Sequence, residues 1–124
     1  MKVPKDLYYL ETHEWVKVED GFAYIGITDH AQHSLGEIVF IELPEENDTV
    51  TKGTEFAAIE SVKAASDINA PVSGVIVMVN EDLEDSPELL NEDPYENWII
   101  KVELEDESEL SSLLSADEYI DACE

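Results

Sequence analysis

The chain has 124 residues, 44% of them apolar, with 31 acids against six lysines, no arginine and a formal net charge of -25. That length suits one domain with an unstapled core, and the apolar share excludes wholesale disorder. The charge makes nucleic acid and anionic lipid poor partners and favours a monomer; it suits either steering toward basic patches on larger proteins or a solvated acidic surface tuned for solubility or a salty cytosol.

No apolar run is long enough to cross a bilayer. The start, Met1-Lys2-Val3-Pro4-Lys5-Asp6, has neither the apolar centre of a signal peptide nor the arginines of a transit peptide. The single cysteine, Cys123, fits a reducing compartment. A cytoplasmic protein is expected, or one of the mitochondrial matrix if the source is eukaryotic.

In chain order, residues 7–27 read as a hairpin. Tyr8, Tyr9 and Leu10 begin an apolar patch, and His13 to Glu19 alternates with the two-residue period of a half-buried strand. Asp20-Gly21 is a two-residue turn signal, and Phe22 to Ile27 returns as the partner strand. A short helix is predicted over Asp29–Leu35. Thr28 or Asp29 caps it, Gln32 stands in capping-box register with Asp29, and Gly36 ends it. Glu37 to Leu43 is predicted as a buried strand through Ile38, Val39, Phe40 and Ile41, closed by Pro44 and the polar turn Glu45-Glu46-Asn47-Asp48.

Thr54 to Ile59 and Val75 to Val79 read as further strands, with a bend at Pro71-Val72-Ser73-Gly74 between them. The spacing of strands and turns predicts a mainly β protein, a small barrel or sandwich. Asn80 to Asn97 is acidic, with anchors at Leu83, Leu89 and Leu90, a helix start at Ser86-Pro87-Glu88 and a turn at Asp93-Pro94. Trp98 to Leu104 is the last strand. The tail from Ser108 to Ala122 has helical spacing in two pieces around Ser115.

A catalytic constellation is missing. His30 and His33 lie three apart on the short helix, a spacing that suits a metal, but no cysteine or third ligand accompanies them, so surface or helix-end histidines are expected. There is no phosphate-cradling glycine loop and no nucleophile motif. Attention therefore falls on Glu60-Ser61-Val62-Lys63-Ala64, which stands where a hairpin tip belongs. Lys63 is its only basic residue, a charged and unreactive amine, with compact Val62 and Ala64 leaving it open to an acylating enzyme. The chain reads as something acted upon.

Glu60 to Ala64, with Pro71-Val72-Ser73-Gly74 and Asn80 downstream, resembles the biotinyl/lipoyl carrier motif. Further stretches are more particular: His13-Glu14-Trp15, Gly26 to Gln32, Leu35 to Pro44, Leu89 to Tyr95 and Trp98 to Lys101. Together they resemble the H proteins of the glycine cleavage system, from about Tyr8 to Tyr119. Methionine does not flank Lys63, unlike the lysine of biotin carriers. Lipoyl domains of 2-oxo acid dehydrogenases usually place aspartate before the lysine, lack the His-Glu-Trp entry and are shorter.

The resemblance implies a hybrid barrel-sandwich fold, one lipoyl-carrier domain over residues 1–124 with an N-terminal hairpin extension and a C-terminal helical tail. It implies lipoate in amide linkage on Lys63, in a non-catalytic shuttle that carries the aminomethyl group from glycine decarboxylase (P protein) to the aminomethyltransferase (T protein). Dihydrolipoyl dehydrogenase (L protein) reoxidises the arm, and a lipoate-attaching enzyme loads it. In the family the loaded arm rests in a surface cleft, for which Thr12, Glu14 and Asp67 are the candidates by position; a carboxylate suits a protonated amine. Ser34 fills a place that is histidine in some relatives. The alternatives are a lipoate relay to other enzymes, and an unlipoylated acidic module docking a basic partner.

Overall fold

The computed structural model describes residues 2–123. Strands β2 (Glu14–Glu19) and β3 (Phe22–Ile27) form the predicted hairpin, and β1 (Tyr8–Tyr9), in the expected apolar patch, adds a third antiparallel strand on β2. Asp20 (φ 52°) and Gly21 (φ 83°) both take positive φ, the mirror-image turn whose twist matches the strands it joins. Helix α1 spans Asp29–Leu35. Thr28 is its cap, accepting from the Ala31 N–H at 3.2 Å, while Gln32 Nε2 donates to the Asp29 side chain instead of closing a capping box.

The remaining strands are β4 (Ile38–Glu42), β5 (Thr49–Val50), β6 (Glu55–Ser61), β7 (Ala65–Asn69), β8 (Gly74–Val79) and β9 (Ile100–Leu104). Two antiparallel sheets result, one of order β1-β2-β3-β9-β8-β5 and one of order β4-β6-β7. Between them lies the main core, which includes Val16, Ile25, Ile41, Ile59, Ile68 and Ile76. No helix among the described residues is long and apolar enough to cross a membrane.

The β4 expectation needs correcting. Ile38 and Ile41 are buried, but Val39 and Phe40 are each 50% exposed. A register shift between Ile38 and Phe40 breaks the alternation, so Phe40 pairs with Glu60 on the outer face. In the acidic stretch, α2 (Asp82–Asp85) was not foreseen, and α3 begins at Leu89, running to Glu92, just beyond the expected start at Ser86. Leu83 and Leu90 are the fully buried anchors.

The tail divides as expected, into a 3₁₀ segment Glu107–Ser112 and helix α4 Ala116–Cys123. It closes a second core with the N-terminal hairpin: Leu7, Tyr9, Trp15, Ala116 and Tyr119 are buried together. Tyr9 and Tyr119 stack with ring centroids 4.8 Å apart. Tyr9 also exchanges two backbone hydrogen bonds with Leu114, at 2.9 and 2.8 Å.

Strands β8 and β9 approach closely at Gly74. A Cβ there would overlap the Glu103 carbonyl oxygen and lie 2.5 Å from Val102 Cγ1. Since neither backbone nor a buried valine yields easily, Gly74→Ala is expected to cost about 1–3 kcal/mol, read as a lower melting temperature by circular dichroism. An unchanged melting temperature would show that the strands part there without cost.

Candidate functional site

Strand β6 continues through Ser61, so the projecting tip narrows to Val62-Lys63-Ala64. Ser61 ties it. Its N–H donates to the Ala64 carbonyl at 2.8 Å, and its Oγ accepts from the N–H groups of Lys63 and Ala64 at 3.3 and 3.1 Å. A serine hydroxyl offers two acceptor positions to one turn, which is why this residue type suits it.

The tip also leans on a ledge. Val62 N–H donates to the Glu37 carbonyl at 3.0 Å. Gly36 beside it has φ 76°, a conformation that favours glycine, and a Cβ there would touch Lys63 Cε at 3.5 Å. Asn91 on α3 clamps the ledge from behind. Its side chain donates to the Gly36 carbonyl at 2.8 Å and accepts from Ile38 N–H at 2.9 Å. Sequence reasoning missed Asn91 and the Glu37 carbonyl; a clamp between distant stretches leaves no local signal.

Among the described residues the one ion pair joins Lys17 and Glu19, so no ion pair engages the Lys63 ammonium. Lys63 is exposed, and Val62 before it is 65% exposed. A shallow groove of about 260 Å³ starts at the tip, between the rows Phe40–Glu60–Ala65 and Glu42–Ala58–Asp67 of the three-stranded sheet. Asp67 therefore opens onto this outer groove. A carboxyl–carboxyl hydrogen bond with Asp67, and repulsion from it, hold Glu55 above the usual carboxylate range.

Thr12 and Glu14 come together elsewhere. Thr12 Oγ1 donates to Glu14 Oε1 at 2.5 Å, and Asn69 N–H donates to Glu14 Oε2 at 2.9 Å. Glu14 is 2% exposed, and burial pushes its carboxyl up to about 7 although both donors favour the anion. The pair stands at the Asn69 end of β7, two residues past Asp67. Thr12 and Asn69 line a second groove of about 360 Å³ with Tyr9, Leu10 and Leu114. Asp67 on β7 thus opens onto the outer groove and Thr12 onto the second, while Glu14 is buried behind Thr12. Ser34 and His33 are exposed on α1, beside a small hollow with Asp29 and His30.

His30 does not act with His33. Its ring stacks on His13 with centroids 4.1 Å apart, and a donor atom of Cys123 joins theirs, all within 4.8 Å of one another. Burial and the neighbouring His30 hold His13 below the usual imidazole range.

Two sheets closed round one core, with a lysine raised on a braced hairpin tip, define the barrel-sandwich fold of the biotinyl/lipoyl carriers. The family model for the glycine cleavage H-protein matches residues 7–124. The chain belongs to the glycine cleavage H-protein family. It is 60% identical over 124 residues, all of this chain and 98% of the other, to a "Glycine cleavage system H protein" of Alkaliphilus oremlandii. Against the protein of that name from Clostridioides difficile it is 60% identical over 120 residues, 96% of each chain. Among solved structures, a glycine cleavage system H protein from Mycobacterium marinum superposes with a TM-score of 0.89. That pair is 37% identical, covering 96% of this chain and 97% of the other.

Proposed function

We propose that the 124 residues act as one carrier domain, with lipoate in amide linkage on Lys63, in the glycine cleavage system. The observation that carries this reading is the tip itself: an exposed amine, with no ion pair among the described residues, on a turn braced by Ser61 and by the Glu37 carbonyl. When attached, lipoate supplies a disulfide able to take up the aminomethyl group and to be restored by oxidation.

The chain's own part is positional. Amide formation removes the lysine charge, so the stem passes Gly36 as a neutral tether. The braced tip fixes where that tether starts, which raises the arm's effective concentration at a docked enzyme. Asp67 lies along the groove that begins at the tip, and Thr12 with Glu14 waits beyond Asn69. A carboxylate in either place suits a protonated amine. The enzymes it serves are glycine decarboxylase, the aminomethyltransferase, dihydrolipoyl dehydrogenase and a lipoate-attaching enzyme, with the acidic surface steering toward basic faces.

Glycine–bicarbonate exchange with the decarboxylase is the direct test. Lipoylated protein is expected to support exchange and the unmodified protein to give none. Full lipoylation without exchange would sink the glycine cleavage role and leave lipoate relay.

A further inference from the structure

We propose that His13, His30 and Cys123 form a binding site for a divalent metal ion of borderline softness, with zinc as the fitting ion. The three residues come from different parts of the fold. His13 precedes β2 with φ 77°, His30 lies on α1, and Cys123 ends α4. Folding nevertheless brings one donor atom of each within 4.8 Å of the others.

The donor set is two imidazoles and a thiolate, the N₂S combination that leaves zinc a fourth position for water. Zinc–nitrogen and zinc–sulfur bonds of about 2.0 and 2.3 Å place tetrahedral ligands roughly 3.5 Å apart. The widest pair must therefore close by about 1 Å, and the stacked His13 and His30 rings must turn so that their in-plane lone pairs converge on one ion.

Two features point to a ligand rather than to packing alone. His30 Nδ1 is enclosed and has no hydrogen-bond partner among the described residues. A buried polar atom left so is costly, and an ion would satisfy it. His13 is already oriented from outside: its Nδ1 meets the Tyr119 hydroxyl at 2.6 Å, and that hydroxyl meets Thr28 Oγ1 at 2.7 Å. In the tautomer with Nδ1–H donating to Tyr119, the other ring nitrogen of His13 is bare for the ion. A ligating histidine with its second nitrogen held in this way is the usual arrangement at metal sites. The strongly negative surface concentrates cations around it.

Binding would clasp the end of α4 to the hairpin and to α1. The test uses the full chain, reduced and stripped with chelator, titrated with cobalt as the spectroscopic stand-in for zinc. Equimolar cobalt is expected to give a thiolate-to-cobalt charge-transfer band in the near ultraviolet, and zinc is expected to bleach it. Cys123→Ser should abolish the band while keeping a native circular dichroism spectrum, and His30→Ala should weaken cobalt binding by roughly tenfold or more. Zinc should raise the melting temperature of the parent chain and leave Cys123→Ser unmoved. Cobalt taken up without a thiolate band, as surface carboxylates alone would do, overturns the site. So does a band that His30→Ala leaves at full affinity.

Discussion

Lys63→Arg, produced in a host able to attach lipoate, is expected to show no lipoyl adduct by intact mass, whereas the parent chain shows one. Arginine keeps the positive charge and the length, but its guanidinium stays protonated and does not acylate. No ion pair among the described residues engages the Lys63 ammonium, and the turn is held by backbone groups and Ser61. Stability should therefore move by less than about 0.5 kcal/mol, as for other surface substitutions. Loss of the adduct then reports on chemistry at one amine. Other lysines are engaged: Lys52 donates to the Glu109 carbonyl and to Ser112, Lys101 lies over Phe22 and Tyr24, and Lys17 pairs with Glu19. An adduct persisting on the variant would move the attachment point elsewhere and undo the assignment.

Glu14→Gln is expected to change both the pH dependence of stability and the lifetime of the loaded arm. The folded-state value of about 7 lies above the ordinary 4.5, so between these the folded chain keeps a proton that the unfolded chain has released. Stability from this group is complete below about pH 4.5, falls as pH rises, and is lost above about 7. The drop is on the order of 3 kcal/mol. Glutamine preserves the two contacts, accepting from Asn69 N–H and donating to Thr12, but does not titrate. In chelator, the melting temperature of the parent should drop more steeply than that of the variant across this range. The repulsion among the other acids is common to both proteins. Parallel curves would show that Glu14 does not hold a proton in the folded chain.

Above about pH 7 the same substitution removes a carboxylate suited to pair with the protonated amine of the loaded arm. Charge-assisted hydrogen bonds are worth about 1.5–3 kcal/mol, so hydrolytic loss should quicken by about tenfold or more. An unchanged lifetime would leave Asp67, on the outer groove, as the remaining acidic candidate.

How far the fold could be read in advance depended on how local its causes were. Asp20-Gly21 fixes its hairpin through the φ values of two residues, and Thr28 with Gly36 bounds α1 by capping; neighbours in sequence suffice. The break at Ser115 was equally local. Val39 and Phe40 were misplaced because an apolar run looks buried whichever way it faces, and the β4 irregularity turns them outward. The position of Lys63 was legible from its strands and from family resemblance. The separation of Asp67 from Thr12 and Glu14 was not, because it follows from which sheet faces which. His13, His30 and Cys123 meet only after both ends of the chain have folded onto α1.

The ledge under the lysine has one further consequence. The posture of Val62-Lys63-Ala64 is set by Ser61, by a carbonyl on the approach to β4, and by an asparagine from α3. On the proposed reading, the address for an attaching enzyme is accordingly three-dimensional, written across three stretches that are apart in sequence. Copying the five residues Glu60 to Ala64 onto a foreign hairpin would transfer the spelling while leaving the posture behind.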